Sequence, residues 1–161
     1  MRVAVLPALS LLALSACSSA ATTGSPTAPV RSASAGERVE ATLAGVRLRL
    51  EVANDDRERA VGLMGRTSVP PGTGMLFHYD APSTGRYYMF HVPIPLRATF
   101  LSGGVVLSTV VMPPCRQQDP YACPTYGTTA PFDAVVETAP ATLADVAAGD
   151  RLVVPTVRSA P

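Results

Sequence analysis

The sequence contains no lysine, no tryptophan and only three cysteines among its 161 residues. All 13 basic residues are therefore arginines, and 12 acidic residues nearly balance them, which leaves a formal charge of +1. A chain so close to neutral has no excess positive charge with which to bind nucleic acid or an anionic lipid surface. We therefore expect no nucleic-acid partner.

The sequence also has no apolar run of the roughly 20 residues that a membrane-spanning helix needs. Its apolar run at residues 3–14 follows Arg2 and has the length of the apolar region of a signal peptide. Residues 14–17, Leu-Ser-Ala-Cys, have the form of a lipobox, in which the cysteine becomes the lipidated first residue of the mature protein. We therefore predict a lipoprotein signal peptide over residues 1–16.

Removal of this signal peptide takes away one arginine, so the formal charge falls from +1 to +1 − 1 = 0. Membrane attachment would then depend on the lipid at Cys17, on the outer face of the cell membrane, or on the outer membrane if the cell has one. Residues 17–36 are rich in Ser, Thr, Ala and Pro and predict a flexible tether. We expect a single folded domain over residues 37–157 and a short tail over 158–161.

The two cysteines of the mature domain, Cys115 and Cys123, form an even pair in an exported protein. Export favours a disulfide between them. The alternative is a metal site, but the paired C-x-x-C and H-x-x-x-H spacings of zinc sites are absent. We therefore predict a disulfide, no metal and no cofactor.

Alternating apolar and polar residues from 39 to 52 predict two half-buried strands with a turn at 44–45. Two apolar segments separated by Gly103-Gly104 predict a hairpin. Further strands are expected at 74–79, 86–91, 132–138 and 151–157, and short helices after Asn54 and at 142–149. The predicted fold is mainly β: a compact antiparallel barrel or sandwich of about seven or eight short strands with two short helices.

Several motifs then follow one another along the chain. They are Gly-Leu-Met-Gly-Arg at 62–66, Gly-Met-Leu-Phe at 74–77, Tyr-Met-Phe-His at 88–91, Pro-Leu at 95–96, Val-Val-Glu at 135–137 and Gly-Asp at 149–150. In this order they resemble the bacterial and archaeal family called domain of unknown function 192. The resemblance covers about residues 38–156 and implies a mainly-β fold. It implies no agreed biochemical activity.

The chain departs from the family pattern at four positions. Tyr88 replaces the usual Trp, His91 the Asn, Val92 the Thr, and Arg97 the Asp of Pro-Leu-Asp. If that Asp were a catalytic base or a metal ligand in other members, position 97 could not do the same chemistry here. Either the position is structural, or this member has a different or lost activity.

Six residues are candidates for a polar pocket around the proline-rich turn: Arg66, Arg86, Tyr88, Met89, His91 and Arg97. In the functional interpretation, Arg66 and Arg97 bind the carboxylate or phosphate of a small anionic ligand. His91 would donate a hydrogen bond and Tyr88 would stack on the ligand. In the structural interpretation, Met89 is a core residue, His91 ties the turn together and Arg97 is a solvated charge.

Two other sites have weaker support. An envelope copper site could draw on Met64, Met75, Met89, Met112, His78 and His91, but the methionines stand where core residues are expected and no M-x-x-M or H-x-H cluster occurs. Hydrolytic catalysis lacks a G-x-S-x-G or H-E-x-x-H motif. Asp133 and Glu137 lie too far apart along one strand for a close pair, and we interpret them as solvated charges.

These observations predict a non-enzymatic accessory or binding module of the cell envelope. Its partner would be a small anionic ligand or an envelope protein. The alternative is a small-molecule-binding or hydrolytic enzyme that uses the 86–97 region.

Overall fold

The computed structural model describes residues 36–154, which fold mainly into β-strands. The nine strands are β1 (Arg38–Leu43), β2 (Val46–Ala53), β3 (Thr73–Ser83), β4 (Tyr87–Tyr88), β5 (Leu96–Ser102), β6 (Val105–Met112), β7 (Thr125–Tyr126), β8 (Phe132–Thr138) and β9 (Leu152–Val153). The predicted signal peptide, Cys17, nearly all of the predicted tether and the predicted tail lie outside the described residues. Among residues 36–154, no helix is long and apolar enough to cross a membrane.

Seven of the strands form one curled sheet, a half-barrel, in the order β6-β5-β8-β3-β2-β1-β9. Strands β4 and β7 form a separate two-stranded sheet. The backbone N–H of Val106 donates to the carbonyl of Asp150 at 2.8 Å, so the chain entering β9 also contacts the start of β6. The mainly-β prediction is confirmed.

One pair of strands, β2 and β3, is parallel, whereas we predicted an antiparallel fold. Parallel neighbours need a long crossover connection. Residues 54–72 provide it and contain the only α-helix of the described chain, α1 (Asp56–Val61). The side chain of Asp55, rather than the predicted Asn54, caps α1 by accepting a hydrogen bond from the backbone N–H of Glu58 at 2.7 Å.

Both tight hairpins are confirmed. The turn between β5 and β6 places Gly103 and Gly104 at φ of 54° and 74°, and the turn between β1 and β2 places Ala44 and Gly45 at 49° and 79°. Two consecutive residues at positive φ are typical of the type I′ turn, whose twist matches that of paired strands. Glycine adopts these angles without strain, which explains why the glycine pair marks the hairpin in the sequence.

The central strands bury side chains on both faces of the large sheet. The first core contains Met75, Phe77, Met89, Val92, Leu96, Ala98, Phe100, Met112, Phe132 and Val135 among others. The second core contains Leu43, Leu48, Leu50, Leu76, Leu101, Val106, Val136, Leu143 and Val146 among others. Successive residues of β3 and β8 therefore alternate between two apolar cores.

Two local predictions are wrong. The predicted helix at 142–149 is a series of turns, in which Thr142 and Val146 donate backbone hydrogen bonds to residues three positions earlier. Leu143 and Val146 pack these turns onto the second core, and a side chain–backbone bond from Ala147 to Asp150 holds them. The predicted strand at 86–91 is reduced to β4. The described chain thus holds one α-helix and one turn of 3-10 helix at Pro120–Ala122, not two helices.

Candidate functional site

A cavity of about 290 Å³ lies beside the first core. Its apolar lining includes Leu63, Met64, Phe77, Met89 and Val92, and its polar lining consists of Arg59, Tyr79, Arg86, Tyr87, Tyr88 and Glu137. Helix α1, strands β3 and β8, and the segment around β4 supply these residues. We call it the Glu137 cavity.

Glu137 is the buried acidic group of this cavity. It lies on β8 directly opposite Met75 of β3 and Ala98 of β5, and only 5% of the residue is exposed. Among the described residues, no side chain or backbone group donates a hydrogen bond to its carboxyl. Burial raises the pKa of Glu137 to about 8 because the charged form loses its hydration. The carboxyl is therefore largely protonated at neutral pH.

Two tyrosines that line the same cavity are hydrogen-bonded to each other. The hydroxyls of Tyr79 and Tyr87 lie 2.9 Å apart in a hydrogen bond. The ring of Tyr87 meets the ring of Phe77 edge-on, with centroids 5.3 Å apart. Burial and the bond to Tyr79 raise the pKa of Tyr87, so its phenol stays neutral. These aromatic rings form a rigid wall with few polar atoms.

The two arginines that line the cavity already have acceptors. Arg59 donates to the carbonyl of His78 at 2.7 Å and to the carboxylate of Asp56 at 2.6 Å. Arg86 is exposed and donates to the carbonyl of Thr125 at 2.8 Å, which joins β4 to β7. The only buried group of the cavity that can become charged and has no partner is thus the carboxyl on β8.

A second cavity, of about 340 Å³, lies on the other side of α1 and is lined by Glu51, Arg57 and Arg66 among others. The guanidinium of Arg66 donates to both carboxylate oxygens of Glu51, at 2.8 and 2.7 Å. This hydrogen bond lowers the pKa of Glu51 and holds its charge. We call this cavity the Glu51 cavity; its charged pair is already satisfied.

Strands β3 and β8 pack closely together at the level of Glu137. A Cβ atom on Gly74 would collide with the backbone carbonyl of Glu137, so only glycine fits at this point of β3. Gly62, with φ of 47°, lies so close to the ring of Phe77 that a Cβ would come within 3.2 Å of it. These two glycines begin the Gly-Leu-Met-Gly-Arg and Gly-Met-Leu-Phe motifs.

The structure brings together only some of the six predicted pocket residues. Arg86, Tyr88 and Met89 line the Glu137 cavity, Met89 as a core residue that is 1% exposed. Arg66 lines the Glu51 cavity instead. The remaining two predicted residues line neither cavity.

Those two residues have structural contacts. Arg97 donates to the carbonyl of Pro140 at 3.0 Å and to the hydroxyl of Thr109 at 3.3 Å, so it ties β5 to the turns that cover the second core. His91 is exposed, its ring stacks on Phe90, and its backbone has φ of 56°. Asn and His are enriched at such angles, which gives a physical reason for their exchange at position 91.

The disulfide between Cys115 and Cys123 is confirmed. From residue 36 to 154, no group of three or more His, Cys, Asp or Glu side chains could hold a metal ion. Met75, Met89 and Met112 are buried in the first core. These three methionines are therefore packed as core residues, as expected from the sequence.

The prediction that Glu137 is a solvated charge is wrong. Glu137 shares a strand face with Val135, and it directly follows an apolar run at 134–136 in a strand whose seven residues are nearly all buried. That continuous apolar run is typical of a strand buried on both faces. It is the signal that could have identified the buried acid, whereas nothing in the sequence marks Tyr87 as its neighbour.

Comparison with known proteins agrees with this fold. The sequence profile of the DUF192 family, described as "Uncharacterized ACR", matches residues 39–154, well over half of the chain. The chain belongs to the DUF192 family. The family resemblance seen in the motifs is thereby confirmed. No curated protein matches this DUF192 chain.

Two crystal structures are similar to this DUF192 protein. One is a protein of unknown function from Novosphingobium aromaticivorans, 26% identical, with a TM-score of 0.62; the match covers 86% of this chain and 99% of that chain. The other is a candidate transcription regulator from Sinorhizobium meliloti, also 26% identical, with a TM-score of 0.61 and coverage of 73% and 92%.

Proposed function

We propose that this DUF192 protein is an exported, lipid-anchored module of the cell envelope that binds a small molecule in the Glu137 cavity. The observation that carries the proposal is an acidic residue that is 5% exposed, borders a cavity and receives no hydrogen bond on its carboxyl from the described residues. Buried polar groups are nearly always paired, and an unpaired one costs about 1–3 kcal/mol. A ligand that pairs with this carboxyl would remove that cost.

The composition of the cavity supports binding. Ligand sites are mostly apolar and aromatic, with a small number of polar groups that orient the ligand. The Glu137 cavity has this composition, and its volume of about 290 Å³ suits a ligand of one ring or a short chain. Its lining residues include no Ser, Thr, Cys or His that could act as a nucleophile.

The name of the Sinorhizobium meliloti relative raises a role in transcription, which we do not carry over to this chain. A DNA-binding protein needs an excess of positive charge on one surface. The formal charge of this chain is only +1 before export and 0 after it.

The lipobox at residues 14–17 and the preceding apolar run support the envelope location. A disulfide between Cys115 and Cys123 fits an oxidising compartment. The intact mass of the protein from cell envelopes tests this part of the proposal. We expect loss of residues 1–16 and an added acyl mass on Cys17, both abolished by Cys17→Ala. An unprocessed or unacylated protein would contradict it.

Ligand binding is tested with a panel of fluorinated fragments by ¹⁹F NMR on the mature protein. Ala60 is an exposed residue of α1 that lines the Glu137 cavity, so Ala60→Trp places a large ring at its mouth. Arg57→Trp is the matched control, because Arg57 is exposed on the same helix but lines the Glu51 cavity. We expect that some fragments bind the wild type and the Arg57→Trp control equally well, and bind Ala60→Trp at least tenfold more weakly. The absence of binding fragments, or equal binding by both variants, would contradict the proposal.

A further inference from the structure

We infer that the Glu137 cavity selects small organic amines: the ammonium group pairs with the Glu137 carboxylate, and the apolar body of the ligand packs against Phe77 and Tyr87. The inference rests on the proposed function and adds the chemical class of the ligand. It follows from the charges, the walls and the unpaired carboxyl of the cavity.

The distribution of charge favours a cation over an anion. Glu137 is the one acidic residue that lines this cavity, and it is buried. Of the two arginines, Arg59 is paired with the carboxylate of Asp56, and Arg86 is exposed and bonded to Thr125. Both guanidinium groups of the cavity therefore already donate hydrogen bonds to acceptors of the protein.

The anionic ligand expected from the sequence depended on two other arginines. Arg66 is bonded to both oxygens of Glu51, and Arg97 is bonded to Pro140 and Thr109. Neither guanidinium lines the Glu137 cavity. The reason for expecting an anion at this site is thus removed.

The walls favour an organic cation over a metal ion. Calcium requires six to eight oxygen ligands and magnesium a nearly regular octahedron. Here the lining offers one carboxyl and the phenol oxygens of three tyrosines, and the remaining side chains, such as Phe77, Met89 and Val92, supply no oxygen ligands. A ligand with one cationic end and an apolar body matches this lining, because the cation can pair with Glu137 and the apolar body can pack against the apolar side chains.

An ammonium group also fits better than a neutral donor. The carboxyl offers two oxygens without protein donors, and an ammonium has three N–H groups to serve them. Bonds between charged groups are roughly twice as strong as neutral ones. The rings of Phe77 and Tyr87 add a cation–π attraction, which is larger at desolvated sites.

The titration of Glu137 gives this inference a distinct signature. Burial raises its pKa to about 8, so the free protein must lose a proton before the carboxylate can pair with an ammonium. The other titratable or charged groups that line the cavity are Tyr79, Tyr87, Tyr88, Arg59 and Arg86. Burial keeps the Tyr87 phenol neutral, and guanidinium groups stay charged in proteins. Proton release on binding is therefore assigned to Glu137.

Isothermal titration calorimetry of the mature protein with benzylamine, benzyl alcohol and benzoate tests the inference. We expect benzylamine to bind at least tenfold more tightly than the other two at pH 8. Its affinity should be roughly 15-fold lower at pH 6.5, where fewer carboxyls are ionised. Titrations in two buffers of different ionisation enthalpy should show release of nearly one proton at pH 6.5.

Two variants and the pattern of probe binding distinguish a failure of this inference from a failure of the proposed function. Glu137→Gln should weaken benzylamine at least tenfold, whereas Asp145→Asn, an exposed acid on the turns over the second core, should leave it unchanged. Equal or tighter binding of benzyl alcohol or benzoate would overturn the amine class and leave the cavity as a binding site. If none of the three probes binds, while some fragments bind the wild type and not Ala60→Trp, the amine class is overturned and the cavity remains a binding site. Failure of the whole fragment panel would overturn the proposed function as well.

Discussion

Replacement of Glu137 by glutamine should remove a large pH dependence from the stability of the protein. Burial raises the pKa of this carboxyl from 4.5 to about 8. Between these values the folded state holds a proton that the unfolded state has lost, so the free energy of unfolding falls as pH rises. The slope is about 1.4 kcal/mol per pH unit, and the total loss by pH 8 is about 5 kcal/mol.

Glutamine has the same shape and cannot ionise, so the variant should not lose this free energy. The wild type and Glu137→Gln should be similarly stable at pH 5, and the variant should be more stable by several kcal/mol at pH 9. Urea unfolding of the oxidised protein at pH 5 to 9 measures both curves. The difference between them cancels other titrations, including that of Glu51, whose lowered pKa affects stability only at acidic pH.

The exposed acid Asp145 provides the control, because Asp145→Asn should leave the slope of the wild type unchanged. If the curves of wild type and Glu137→Gln run parallel from pH 5 to 8, the carboxyl is not held protonated by burial. That result would refute the reasoning.

Three further predictions concern contacts that stabilise the fold. Arg66→Ala should lower the free energy of unfolding by about 1–2 kcal/mol, since it leaves the half-buried carboxylate of Glu51 without its bidentate partner; a double-mutant cycle with Glu51→Ala that gives no coupling would contradict this. Gly74→Ala should cost about 1–3 kcal/mol because the methyl collides with backbone of β8, and an unchanged thermal midpoint would be inconsistent with that contact. Replacement of Cys115 and Cys123 by serine should cost about 2.5 kcal/mol or less from loop entropy, and an increase in urea stability would argue against the bridge as a stabilising element.

Hairpins were the part of the fold best predicted from sequence, because their determinants are local. The glycine pair at 103–104 occupies the two positive-φ positions of a type I′ turn and sets the pairing of β5 with β6. The alternation from 39 to 52 likewise predicts the pairing of β1 with β2. The parallel contact of β2 with β3 has no such local mark, because it depends on how residues 54–72 cross the sheet.

The candidate site was predicted only in part, for a related reason. Arg66 and Arg97 were chosen as anion ligands from their residue type, but their acceptors Glu51 and Pro140 lie 15 and 43 residues away in the chain. The burial of Glu137 depends on the segments that cover both faces of β8. Apart from the apolar run at 134–136, long-range packing of this kind leaves no pattern around the residue itself.

The central claim is that Glu137 is an unpaired buried carboxyl that binds the ligand, and its own titration tests this most directly. Carbon-13 NMR of the Glu-labelled mature protein, with Glu137→Gln to assign the signal, follows the side-chain carboxyl from pH 4 to 10. We predict a midpoint near 8 in the free protein and a clear shift to lower pH when benzylamine is present. A midpoint near the ordinary 4.5 in the free protein, or one that benzylamine leaves unchanged, would contradict the account.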